Sequence, residues 1–456
     1  MAGIGIHLRK LTRTGSIADT LAAYSGAAVV SAGPWIISII ALMLLTWLLH
    51  QVLPADEIRL FTSSVTHVYA FALILTGPLQ ILLTRYTADQ ISLNHPERIY
   101  PSFRGGVLVA AVVHALLGWF FFVQHVPAPP GFSVAAAALL VQVACIFIAS
   151  VYLSTLRHYV SIVAAFALGY GVGIAAAWKL AATHGVAGAM AGLLAGHFLL
   201  FLTLVIRIRS ELGRGRGSAF AFWRTGWHMP GLLLTGLFYN LGIWIDKFLF
   251  WWMSKHYAVV AGVLHAAPDY DLAIYLSLLS IAPGMAVFFL QVETRFSEAF
   301  HHYFDCVNGG RSLMEIRQAK HQIIHSLREG FARLVKVQGV ATLLLVLFAH
   351  QLAGWFQVGF VQLGILRITL FGGFLLMVFL AMLTVLFYFN DRRGALLCSL
   401  AFLLANGCLS ALTLQRNEAW YGFGFVAASA LAVFIATVRV NRRLDQLEFH
   451  TFRGEP

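Results

Sequence analysis

An all-α membrane protein of about twelve transmembrane helices, with both termini cytoplasmic, is the fold class this sequence predicts. Three observations carry it. The chain is 59% hydrophobic and only 11% charged, with a mean hydropathy of +0.79, unlike a soluble domain. It cuts into twelve apolar runs, each near the roughly 20 helical residues that cross a hydrocarbon core of about 30 Å. Of its 31 Lys and Arg, 25 fall in alternate spaces between those runs. By the positive-inside rule those spaces, both chain ends among them, face the cytoplasm.

In order, the runs are 20–49, 62–84, 105–126, 132–156, 159–178 and 186–206 in the first half. The second half has 229–252, 271–292, 334–355, 364–389, 394–414 and 419–438. A membrane helix satisfies its own backbone, and unbroken apolar runs exclude a β-barrel, whose strands alternate. The net charge of +12 sits mostly in short loops. There it holds helices to an anionic leaflet, and no nucleic-acid partner is expected. Cys145, Cys306, Cys398 and Cys408 form no CxxC pair and are expected as free thiols without a metal.

The chain divides near its middle. Gly213-Arg214-Gly215-Arg216-Gly217-Ser218 reads as a flexible cytoplasmic linker. It lacks the preceding strand and the Lys-Ser/Thr ending of a phosphate-cradling loop. The expected organisation is a six-helix lobe over 1–212, a linker over 213–228 and a second six-helix lobe over 229–456. The halves share punctuation. Pro34 and Pro78 interrupt runs one and two, Pro230 opens run seven, and Pro283 lies in run eight. Thr84-Arg85-Tyr86 closes run two and Thr294-Arg295-Phe296 closes run eight. This predicts a pseudo-two-fold relation, and paired interrupted helices point to a transport pathway.

Residues 293–333 form the longest hydrophilic segment, a cytoplasmic amphipathic insert. Phe296, Phe300, Tyr303, Phe304 and Val307 stand at helical spacing before Asn308-Gly309-Gly310 breaks the pattern. Ser312-Leu313-Met314-Glu315 is a capping box for a second helix. That helix carries Arg317, Lys320, Arg328 and Arg333 beside an apolar stripe. Two basic amphipathic helices suit the inner leaflet surface or a docked partner.

Chemistry-bearing residues are sparse. Charges inside a span cost on the order of 2.5–3.5 kcal/mol each at the helix centre. Asp246 and Lys247 are the clearest case, adjacent and hence about 100° apart around the helix. They are placed near the periplasmic end of run seven. Asp269-Tyr270-Asp271 has the DxD form of metal-dependent glycosyltransferases but stands on the periplasmic side with no soluble domain. It reads as the acidic first turn of run eight. His321 and His325 lack the converging partners of a zinc site. Small-residue clusters at Gly169–Gly173 and Gly188–Gly192 are expected to let helices approach closely. No catalytic constellation is present in the spacing.

The opening Met1-Ala2-Gly3-Ile4-Gly5-Ile6-His7-Leu8-Arg9-Lys10 resembles the PelG family, inner-membrane transporters of the Pel exopolysaccharide system. So do Ser31-Ala32-Gly33-Pro34-Trp35, Thr76-Gly77-Pro78-Leu79-Gln80, Asp246-Lys247, Pro268-Asp269-Tyr270-Asp271 and Val292-Glu293-Thr294-Arg295-Phe296. The resemblance implies the multidrug/oligosaccharidyl-lipid/polysaccharide exporter superfamily. It implies two six-helix lobes around a central cavity, with helices one, two, seven and eight at its portal. It implies a non-enzymatic, cofactor-free exporter of a polysaccharide rich in N-acetylgalactosamine. The implied partners are a cytoplasmic glycosyltransferase, a membrane-bound cyclic-di-GMP receptor and a tetratricopeptide scaffold protein, besides membrane lipids.

A path for such a polymer must be polar and aromatic within an apolar bundle. The candidates to line it are Trp35, Tyr69, Arg85, Tyr239, Asn240, Asp246 and Tyr275. Pro34, Pro78, Pro230 and Pro283 are the candidate gating kinks. Phe296, Phe300, Phe304, Arg317, Lys320 and Arg328 are the candidate docking face. Two rival readings are an ion-coupled small-molecule antiporter of the same superfamily, and a membrane scaffold that recruits a glycosyltransferase through 293–333.

Overall fold

The computed structural model describes residues 17–156, 158–356 and 359–452. The opening motif at residues 1–10 lies outside the described residues. The chain packs as two compact units, one of Pro34–Pro268 and one of Asp269 onward with the N-terminal residues up to Gly33.

The first unit takes α1 (Ile17–Leu49) from Pro34 onward, then α2 (Ala55–Ser92), α3 (Ile99–Gly118), α4 (Pro130–Thr155), α5 (Tyr159–Leu212), α6 (Phe222–His228) and α7 (Pro230–Met253). Helix α2 starts well because Asp56 and Glu57 fill its first turn, where carboxylates meet the positive end of the helix dipole. A π turn, Trp119–Gln124, extends α3. A short antiparallel hairpin, β1 (Ala258–Ala261) with β2 (Leu264–Ala266), follows α7. Apolar periodicity gave no sign of it, because strands of four and three residues are too short to show alternation.

Helix α5 is 54 residues long, but it is two spans joined at Gly185, whose φ of 60° and ψ of −148° break the helix. Only glycine adopts such a backbone cheaply. The Val186 amide just past the turn donates to Glu57 Oε2 at 2.8 Å, so α2 caps the second arm. Along the hairpin, each small-residue cluster lets the opposite arm approach closely, as expected. A Cβ on Gly188 would lie 2.2 Å from Leu180 O, one on Gly192 2.2 Å from Ala177 N, and one on Gly196 2.4 Å from Gly173 Cα. Gly185→Ala is expected to lower stability by about 1–3 kcal/mol through backbone strain. An unchanged melting temperature of the purified protein in detergent would refute this.

The second unit comprises α8 (Pro268–Leu279), α9 (Ala282–Gln291), α10 (Ser297–Asn308), α11 (Leu313–Leu347), α12 (Ala349–Phe356), α13 (Phe360–Tyr388), α14 (Arg392–Leu414), α15 (Phe423–Asp445) and α16 (Leu447–Phe452). A π turn, Val292–Phe296, joins α9 to α10. Asp269 and Asp271 sit in the first turn of α8. The Ser312–Glu315 capping box opens α11. That helix then runs without a break into the ninth apolar run, where the sequence had pointed to two elements. Gly330 and Gly339 are tolerated inside it.

Among the described residues, ten helices are long and apolar enough to cross a membrane. With α1 and the second arm of α5 they account for all twelve runs. Large apolar side chains such as Leu116, Trp47 and Phe434 stand exposed on these helices, a surface suited to lipid. This is a multi-pass membrane protein. Its packing boundary at 268/269 differs from the 213–228 linker, because α7 lies against α2 within the first unit.

Candidate functional site

In the first unit, polar chemistry gathers around α2. Pro78 lacks the N–H that would bond one turn back. Around it Thr76 Oγ1 donates to Ala72 O at 2.6 Å and Gln80 Nε2 donates to Thr76 Oγ1 at 2.7 Å. Helix α7 crosses here almost backbone to backbone. A Cβ on Gly236 would lie 2.4 Å from Gly77 O, and one on Gly77 would lie 2.3 Å from Asn240 Nδ2. Asn240 donates to Gly236 O at 2.9 Å, which lays its amide over Gly77. Gly236→Ala should push the helices apart and cost about 1–3 kcal/mol as overpacking, read as a lower melting temperature. Wild-type stability would contradict the contact.

Further along α7, Asp246 and Lys247 are both 0% exposed. Lys247 Nζ donates to Asp246 Oδ1 and Oδ2 at 3.1 and 3.2 Å and to Ile243 O at 2.7 Å. It also stands 5.8 Å from the centre of the Trp244 ring. Their Cβ atoms do diverge, but the four-carbon lysine stem folds back, so the neighbours neutralise each other. Two residues expected to point about 100° apart thus form an enclosed ion pair.

Three histidines lie inside this unit, each with Nδ1 on the carbonyl four residues back: His67 on Ser63 O at 2.9 Å, His114 on Ala110 O at 2.7 Å and His197 on Leu193 O at 2.9 Å. A carbonyl only accepts, so Nδ1 carries the proton in each. His197 Nε2 must then accept from Tyr69 O–H, 2.9 Å away. Tyr69 in turn accepts from the Tyr170 hydroxyl. The result is a directed chain, Tyr170 to Tyr69 to His197. His67 is stacked on Trp251 with ring centres 4.3 Å apart.

The expected path residues are thus dispersed in role. Asn240 lies at the α2–α7 crossing with Pro78, and half-buried Tyr239 adjoins it. Trp35 is half-buried beside Pro34 on α1. Arg85 is paired with Asp89 at 3.0 Å. Tyr69 spends its hydroxyl on the buried chain. Tyr275 is half-buried on α8 in the second unit. Pro230 is the first residue of α7, where proline removes no helix bond, so it starts a helix and does not kink one.

In the second unit, run eight breaks between α8 and α9, just before Pro283. Gln338 of α11, 0% exposed, fills the break. Its Oε1 accepts from Gly284 N at 2.9 Å and its Nε2 donates to Ser280 O at 2.8 Å. Residues 280 and 284 are natural helical partners, so the amide is inserted into the ladder, a defined cause of a kink. Sequence reasoning passed over Gln338, Tyr170, His67 and His197. Their one signal was a polar residue alone in an apolar run.

The expected docking face is narrower than its sequence pattern. Phe296 is 1% exposed, and Phe296 and Phe300 pack on Tyr388 and Phe389. Phe304 stacks on Phe300. Lys320 is held by Glu448 at 2.5 Å and Asp445 O at 3.0 Å. Burial pushes the Glu448 carboxyl up, but bonds from Lys320 and its own backbone outweigh this and hold it below the usual range. Arg317 and Arg328 remain exposed.

The family model described as "PelG: Putative exopolysaccharide Exporter (EPS-E)" matches residues 1–452. The chain belongs to the PelG family. Solved structures agree on architecture. A point mutant of the Vibrio cholerae MATE transporter VcmN aligns with TM-score 0.65 at 13% identity, over 93% of this chain and 98% of that one. An outward-facing multidrug resistance MATE family transporter of the MOP superfamily gives 0.63 at 13% identity, over 92% and 96%. A MOP superfamily transporter from Pyrococcus furiosus gives 0.60 at 12%, over 92% and 96%. Identities this low carry the fold alone. No curated protein sequence matches the chain. This PelG-family chain therefore has a MATE-like transporter fold, and both family and fold are those of transporters.

Proposed function

We propose that this chain exports a Pel-like polysaccharide, rich in N-acetylgalactosamine, across the bacterial inner membrane with both of its termini cytoplasmic. It works beside a cytoplasmic glycosyltransferase, a membrane-bound cyclic-di-GMP receptor and a tetratricopeptide scaffold, with Arg317 and Arg328 as the docking cations. The observation that carries this reading is the exopolysaccharide-exporter match over nearly the whole of a MATE-like fold. Asn240, Tyr239 and Trp35 supply amide and aromatic surface to sugar hydroxyls and ring faces. Pro34, Pro78 and the Gln338-held break supply the bends. Asp246 acts by holding α7, since its carboxylate is already engaged.

The antiporter reading needs a carboxylate free to bind and release a cation. Among the described residues the buried acids are Asp246 and Asp391. Asp246 holds Lys247, and Asp391 holds Arg439 at 2.6 Å. This favours polymer export over ion-coupled exchange.

The test is to delete the protein from its native cell and assay polymer inside and outside separately. Export predicts polymer retained inside. Complete loss of polymer would favour the scaffold reading, and normal secretion would overturn both.

A further inference from the structure

The linker after α5 is folded down. The Arg216 amide donates to Glu97 O at 2.7 Å. Gly215, at φ 64°, passes so close that a Cβ would lie 2.6 Å from Glu97 O and from Pro101. Held this way, the linker and α6 wall a cavity of about 590 Å³ against the end of α2. That is the size of a small-molecule site.

The cavity is cationic. Arg98, Arg224 and His228 line it, with Asp89, Gln90 and Ser218. Asp89 is already paired with Arg85, and the neighbouring Glu97 with His95 at 3.1 Å. Among the described residues neither Arg98 nor Arg224 has an ion-pair partner. Two guanidiniums facing one cavity with no carboxylate of their own are suited to a phosphoryl group, which they bind through charge-assisted, fork-shaped hydrogen bonds. Gln90 is 7% exposed, and its side-chain oxygen has no partner among the described residues. That oxygen is sealed within the protein, and Ser218 offers the hydroxyl contact on the cavity wall.

The surroundings indicate where the phosphoryl group comes from. On α6, beside Arg224 and His228, Trp223 is 44% exposed and Trp227 is 85% exposed, with Phe220 just before them. Exposed tryptophans on a membrane protein sit at headgroup level, and basic pockets at that depth bind anionic headgroups. We propose that this cavity binds the phosphate of an anionic, hydroxyl-bearing phospholipid headgroup, with Arg98 and Arg224 on the phosphate and Ser218 on a hydroxyl. The inference does not depend on what the bundle exports.

The test uses the full chain in phosphatidylcholine vesicles carrying a small fraction of brominated phosphatidylglycerol or of brominated phosphatidylcholine. The part of the tryptophan quenching that is lost in Trp223→Phe/Trp227→Phe reports the lipid next to α6. The expected result is a preference for phosphatidylglycerol of roughly thirtyfold, the order two arginines give at an anionic headgroup. The preference should vanish in Arg98→Gln/Arg224→Gln, both exposed positions whose replacement leaves the fold intact. A second arm adds inorganic phosphate to the protein in plain phosphatidylcholine and reads the melting temperature. An arginine-dependent rise there, without lipid preference, would keep the phosphoryl site and assign it to a soluble ligand. Wild-type protein with neither lipid preference nor a phosphate response overturns the proposal.

Discussion

Replacing Lys247 with Met is expected to destabilise the protein by about 3–5 kcal/mol, because it takes the ammonium away from the buried Asp246 carboxylate. Asp246→Ala should be as damaging, since the buried ammonium then loses the carboxylate beside it. The pair itself contributes less than either loss suggests, because burying two charges costs much of what their attraction returns. The combined Asp246→Asn/Lys247→Met variant should therefore recover most of the stability. It should also export polymer, because the pair's task is to let α7 pack. Melting temperatures of the purified variants in detergent, beside polymer export at matched protein levels, check both parts. A Lys247→Met variant as stable as wild type would mean that the pair is not enclosed. A stable double variant that exports nothing would put the carboxylate on the path.

Gln338→Leu is the second large effect. It leaves Gly284 N–H and Ser280 C=O without their shared amide, at about 1–3 kcal/mol for each orphaned group. These two are i, i+4 partners, so they could bond each other if the helix straightened. Pro283 prevents this, because its ring obstructs the turn before it and it has no N–H to offer Leu279 O. Adding Pro283→Ala to Gln338→Leu should thus restore most of the stability by letting α8 and α9 merge. Export should stay low in that variant, because the bend is gone. Recovered stability together with recovered export would show that the break has no part in gating. An undiminished melting temperature in Gln338→Leu alone would remove the inserted amide from the account.

How much of this was open to sequence reading follows from what a bilayer demands. Lipid requires apolarity over a full helix length, so the twelve runs were visible. Close helix packing requires small residues at regular spacing, so the Gly169–Gly173 and Gly188–Gly192 seam of α5 was visible too. Helix ends inside water-exposed segments were less so. α11 runs straight from its basic part into its apolar part, because a change in polarity is not a change in helix propensity. The polar interior was least legible. His197 meets Tyr69 across 128 positions and Gln338 meets Gly284 across 54. Single polar residues with distant partners leave no periodic trace. Asp246 and Lys247 were found, but a rule about Cβ directions says nothing of how far a lysine stem can fold back.

The central claim is that a polysaccharide chain passes along Asn240, beside the tight α2–α7 crossing. The direct measurement is photo-crosslinking in cells that are making polymer, with a photoreactive amino acid placed at Asn240 and, as a control, at Leu116, an exposed position on α3. Adducts are then detected by a lectin for N-acetylgalactosamine. Export along Asn240 predicts polymer adducts at position 240 and none at 116. Equal labelling at the two positions, or none at 240 while polymer is being secreted, would contradict it.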